Sequence, residues 1–118
     1  MKVRKLKMKQ ITLSTTNFTA KDKFNIKAGA KALKDAIGQK LVVTRACIGT
    51  DIDVDGREVN AGALITNSGA YTCISKTAVD SISDLIEMLD DGEESITVMV
   101  ESRTSNGGRD YLVLSIVD

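Results

Sequence analysis

The period of the apolar positions changes along the chain, and each change marks an element. Residues 40–54, KLVVTRACIGTDIDV, form a long β-branched run that predicts a strand. Asp55-Gly56 predicts a two-residue hairpin, because both positions tolerate positive φ. Residues 57–66, REVNAGALIT, read as the return strand, and Gly62 within it predicts a bulge or sharp bend. NSG at 67–69 predicts a turn, and AYTCIS at 70–75 a third strand. The period then lengthens. Val79, Ile82, Ile86 and Leu89 share one face of a helix within residues 75–94, which DDG at 90–92 ends. Ser75 or Thr77 is placed to cap it, with Asp80 three residues after Thr77 as in a capping box. Alternation returns at 95–102 with Ile96, Val98 and Val100; NGG at 106–108 turns the chain, and YLVLSIV at 111–117 is the last strand.

The first third is less regular. Residues 1–13 alternate Lys2, Arg4, Lys5, Lys7 and Lys9 with apolar residues, as a basic arm or edge strand, and STTN at 14–17 reads as a turn or loop. Residues 18–38 support two readings. Phe24 and Ile26 alternate like a strand, whereas AGAKALKDAIG at 28–38 reads as a short helix ended by Gly38.

Three strands, a helix and two strands is the order of an OB-fold, a five-stranded barrel with its helix between strands 3 and 4. The predicted class is therefore all-β, a small barrel with one helix. A β-sandwich or an open α+β sheet shares the same periodicity. The expected organisation is a basic segment at 1–17 and a single OB-fold-like domain at 18–118.

Composition narrows the function. There is no His, so the side chain best suited to proton transfer near neutral pH is missing, and no enzyme is expected. Asp51, Asp53, Asp55 and Gly56 match the front half of a calcium loop, but Val59 and Gly62 stand where later ligands belong. The hairpin explains more, with the alternating acids on a solvated strand face. Cys47 and Cys73 lack metal-ligand spacing and read as reduced core thiols. No cofactor or metal is expected. No apolar run approaches the roughly 20 residues that span a bilayer, and the basic start lacks the apolar stretch of a secretory signal. A cytoplasmic protein is expected.

The net charge is zero, yet residues 1–45 hold twelve Lys or Arg against two acids, and residues 46–118 hold four against fourteen. Such asymmetry suits a polyanion site fed by the basic part. It also suits mutual neutralisation of the two parts, within the fold or between subunits.

AYTCISKTAVDSISDLIEML, residues 70–89, resembles the small single-stranded-DNA-binding proteins of tailed phages whose replication starts from a terminal protein. The matching residues are Tyr71, Ile74, Ser75, Lys76 and Thr77, then Ser83, Asp84, Leu85 and Ile86. Residues 96–116 are similar to that family's final hairpin, with Thr104, Ser105 and Gly108 at its turn, and residues 32–48 are a weaker match to its first barrel strand. The likeness spans roughly residues 40–118; residues 1–17 fall outside it, and the hairpin at Asp55 is shorter than the family pattern.

The resemblance implies an OB-fold that coats single-stranded DNA during phage replication without strong sequence preference, in the host cytoplasm. Such binding needs a cationic groove and rings on which bases stack. Tyr71, on the third strand, is the first stacking candidate; its plainer reading is a barrel tyrosine. Tyr111, beside the last hairpin, is the second. Arg57, Arg103 and Arg109 flank hairpin turns and suit phosphate. Lys76 opens the helix, where backbone N–H groups attract anions. Lys40 and Arg45 are candidates by sign alone. A non-catalytic module that self-associates or binds a phage replication protein is the alternative, and an RNA binder on the same barrel a third reading. The first two are separated by whether the basic residues share a groove with Tyr71.

Overall fold

The structure is a computed structural model and describes residues 10–52 and 55–117. In chain order its elements are β1 (Gln10–Ser14), α1 (Ala20–Gly29), β2 (Lys31–Ala32), a 3-10 turn (Leu33–Ala36), β3 (Lys40–Ile52), β4 (Glu58–Thr66), β5 (Gly69–Cys73), α2 (Lys76–Asp90), β6 (Ile96–Thr104) and β7 (Asp110–Ile116). The five expected strands are β3 to β7, and the expected helix is α2. Two further strands and a second helix lie before them. The fold is mostly β.

β3 is the axis of the sheet, and its long β-branched run is the reason. One edge pairs with β4 along Val43–Ile52. The opposite edge is shared: Lys40–Val43 pair with β6, and Cys47–Thr50 pair with β1. Between those partners the chain bulges at Thr44, and this bulge turns Val43 and Ala46 to the same side. Thr15, 1% exposed, fills the gap left between β6 and β1. Its N–H donates to the Ala46 carbonyl at 3.0 Å. The seven strands run in the order β2-β5-β4-β3-β6-β7, with β1 on the side of β3, so the curled sheet ends at β2 and β7 among the described residues.

Each side of the sheet has its own core. On one side α2 lays down Ala78, Val79, Ile82, Leu85, Ile86 and Leu89, the face its period predicted. They meet Leu41, Val43, Leu64, Val98 and Val100, with Leu33 and Ala36 of the 3-10 turn. On the other side α1 contributes Ile26 to a small cluster with Cys47, Ala61, Ala63 and Ile65. Cys47 and Cys73 thus belong to opposite sides, and both are buried free thiols. Burial pushes each up to about 12, with the Asp22 carboxylate adding to the rise at Cys47.

Several expectations need correcting. The helix expected at 28–38 shrinks to the 3-10 turn, and a ten-residue helix lies before it at Ala20–Gly29. Its cause is a capping box. The Asp22 N–H donates to Thr19 Oγ1 at 3.1 Å, and the Thr19 N–H donates back to Asp22 Oδ2 at 3.0 Å. Gly62 makes no bulge. It pairs in register with Ile48 and Cys73, and a Cβ there would come within 2.6 Å of Ile82 Cδ1, so the glycine lets α2 approach the sheet. Gly49 has a similar reason, since a Cβ would collide with the Gln10 backbone of β1. Ser75 occupies the cap position of α2 without a side-chain bond, and Thr77 lies inside the helix. Asp51 is 1% exposed, not on a solvated face, and its carboxylate accepts the Ile52 N–H. Asp53 and residues 1–9 of the basic segment lie outside the described residues. β1 supplies an edge strand to the main sheet.

Candidate nucleic-acid interface

Cross-strand partners share a face of a sheet. In β6 and β7 the rows Val98–Ile116, Val100–Leu114 and Ser102–Leu112 face α2, and Leu112 and Leu114 pack on the main core. The rows between them face the other way: Met99–Ser115, Glu101–Val113 and Arg103–Tyr111. Lys40 pairs with Met99 and extends this second face onto β3. Lys40, Arg103 and Tyr111 therefore share one surface with apolar Met99 and Val113 between them. The acid on it, Glu101, accepts the Ser115 hydroxyl at 2.6 Å and lies 4.0 Å from the Arg103 guanidinium.

The hairpin at one end of this face is tightly built. The Ser105 N–H donates to the Arg109 carbonyl at 2.8 Å, and the Gly108 N–H donates to the Ser105 carbonyl at 2.9 Å. Gly108 has a φ of 80°, which the turn requires. Thr104 donates its hydroxyl to Asp110 at 2.8 Å. Arg103 and Arg109 flank this turn, as the sequence suggested, and both are exposed. A row of cations beside a half-buried tyrosine can hold phosphates and present a ring edge or face to a base.

The other candidates lie elsewhere. Tyr71 is 5% exposed in the main core, with the Lys31 ammonium 5.8 Å from its ring centroid. Stacking needs an open ring face, so its placement fits the barrel-tyrosine reading and not the stacking role. Arg45 is engaged in a two-pronged ion pair: its Nε and Nη2 donate to the Asp22 carboxylate at 2.6 Å and 3.0 Å. Burial would raise the Asp22 carboxyl, but Arg45 and the Thr19 amide outweigh it and hold the group below its ordinary value. Arg45 is thus a structural residue that clamps α1 to β3. Arg57 sits in the β3–β4 hairpin, at the far end of β3 from Lys40. At about 3.3 Å per residue, the course of that strand between them is roughly 40 Å. Lys76 opens α2, on the other side of the sheet.

That other side is acidic. Asp84, Glu87, Asp90, Asp91 and Glu93 line shallow grooves beside the second half of α2, together with Met88. Carboxylates there repel phosphate. The basic residues therefore do not share a groove with Tyr71. Three of them gather with Tyr111 and Glu101, and the acids beside α2 gather on the opposite side. Sequence reasoning passed over Phe24, which is 69% exposed on α1. The signal for it was the capping box at Thr19, which fixes the helical period and turns Phe24 away from Ile26.

Among the described residues no helix is long and apolar enough to cross a membrane. No group of three or more His, Cys, Asp or Glu is placed to hold a metal among them.

A surface of this kind, on a mostly β scaffold, has the cations and the ring that a single strand needs. The model of the phage single-stranded DNA-binding protein family matches residues 5–117, and the chain belongs to that family. The match reaches back through α1 into the basic segment, farther than the resemblance read from residues 40–118. No match was found among curated proteins or among solved structures.

Proposed function

We propose that the protein coats single-stranded DNA during phage replication, without strong sequence preference, and that the strand lies along the β3–β6–β7 face. The observation that carries the choice of face is the Arg103–Tyr111 register pair, with Lys40 on the same surface and Arg109 at the hairpin. Phosphates follow the cations and a base stacks on Tyr111. The architecture is read as OB-type. The order β3-β4-β5-α2-β6-β7 supports this, as does the pairing of β3 with both β4 and β6. A phage protein of this role works in the host cytoplasm. Chemistry on the strand is not part of the role.

Fluorescence anisotropy with labelled oligo-dT tests this. The expected result is salt-sensitive binding, with log K falling by about 0.7 per log salt for each phosphate neutralised on a single strand. Duplex DNA competes poorly, and RNA of equal length reports the preference between nucleic acids. Tyr111→Ala is expected to weaken binding by about 1–3 kcal/mol, the worth of one base–aromatic stack. Wild-type affinity in Tyr111→Ala and in Arg103→Ala would move the site off this face. Absence of binding at low salt would remove the function.

A further inference from the structure

A second surface has the same chemistry as the first and no role in the packing. In α1 only Asp22 and Ile26 are buried. Phe24 is 69% exposed, the most open of the large apolar side chains described. Lys21 and Lys27 lie three residues to either side of it, both exposed, so helical geometry places all three on one face. Asp22, the acid of this helix, is held by Arg45 and turned into the protein. A single exposed apolar residue is ordinary on a protein surface. An exposed ring set among lysines, with its nearest acid already paired, is not explained by packing or by solubility.

We propose that this face of α1 is a second contact for single-stranded DNA, with Phe24 as a stacking ring and Lys21 and Lys27 as phosphate partners. The proposal rests on the reading of the protein as a single-strand binder and adds a site to it. A base has a π-face for the ring, and its own backbone supplies the phosphates for the lysines. A second copy of this chain fits less well. Its acidic α2 would match the lysines, but the exposed positions of that helix are Lys76, Thr77, Asp80, Asp84, Glu87 and Asp90, and the apolar Met88 beside them is half-buried. Two such contacts on one molecule lengthen the strand each copy occupies.

The protein has no tryptophan, so Phe24→Trp places a lone reporter at the site. Titration with oligo-dT is expected to quench that fluorescence in step with the anisotropy of a labelled strand. Phe24→Ala is expected to bind long oligo-dT about fivefold more weakly or worse, the lower limit for one lost stack, while its melting temperature stays within a few degrees. Phe24→Tyr is expected to restore binding. The double variant Lys21→Ala/Lys27→Ala is expected to make the salt slope shallower by about 1.4, the value for two single-strand phosphates. Wild-type binding with unchanged affinity in Phe24→Ala and no quenching in Phe24→Trp would overturn the second contact and leave the β3–β6–β7 face standing. Failure of the wild-type protein to bind at all would overturn both. A change in the sedimentation of DNA-free Phe24→Ala, with its DNA affinity unchanged, would make α1 a contact between protein copies and also overturn the proposal.

Discussion

The two helices are held to the same sheet by different forces. α2 buries six side chains, all apolar, and its hold is the hydrophobic effect. α1 buries two, Asp22 and Ile26; a capping box starts the helix, and its hold on the sheet is the Asp22–Arg45 ion pair with one apolar side chain, Ile26, beside it. Their outward faces differ in the same way. α2 shows carboxylates to solvent, while α1 shows lysines and a phenyl ring. A helix that must anchor the core spends its apolar residues inward. One fixed by polar contacts leaves an aromatic residue available outside.

The largest test of this contrast is Ile82→Ala. Ile82 is fully buried against the sheet at Gly62. Truncation there is expected to cost about 2–5 kcal/mol, seen as a fall in Tm of roughly 10–20 °C in a domain of this size. Ile26→Ala, in the smaller cluster under α1, is expected to cost less. Equal losses in thermal melts of the two variants would mean that α1 is also an apolar anchor, and the contrast would fail.

Asp22 gives the next effect. Its carboxylate serves the capping box and the Arg45 pair together, so Asp22→Ala is expected to cost about 2–4 kcal/mol. The pH dependence separates the two roles, because Asp22→Asn keeps a capping oxygen and loses the charge. The folded carboxyl lies below its ordinary value, and the unfolded one titrates near about 3.9. Its contribution is therefore complete above the unfolded value and is lost as pH falls through the folded one. Urea denaturation is expected to show a gap between wild type and Asp22→Asn at pH 7 that narrows below about pH 4. A gap that stays constant into acid would mean that the ion pair adds nothing beyond the cap.

The same contrast explains what could be read from the chain. α2 and β3 to β7 were legible, because each buries an apolar stripe at its own period and turn residues divide them. α1 was not, because its signal is a threonine and an aspartate three apart, without an apolar stripe behind them. Gly62 was legible as special, but not why: strand sequences do not say which backbone a distant helix will touch. The candidate site was half legible as a shared surface. Arg103, Arg109, Lys40 and Tyr111 were named and meet on or beside one face. Tyr71 and Arg45 are as polar in sequence as the others, and only the fold shows that one lies under Lys31 and the other is spent on Asp22. Phe24 was hidden for the same reason as its helix.

The smallest effect concerns the acids of α2. If the strand follows the β3–β6–β7 face and α1, then Asp84 and Glu87 act on it only through solvent and across the sheet. Asp84→Asn/Glu87→Gln removes two negative charges from exposed positions that anchor nothing in the core. Affinity for oligo-dT is expected to rise less than about threefold at low salt. The rise should vanish near 0.15 M salt, where charges more than about 8 Å apart are screened. Stability should not change, since surface substitutions of this kind stay within about 0.5 kcal/mol. Anisotropy titrations at the two salt concentrations decide it. A tenfold gain, or one that persists at high salt, would place those carboxylates beside the phosphates themselves. The strand would then run on the α2 side, and the division of the molecule into an acidic anchoring side and a basic binding side would be wrong.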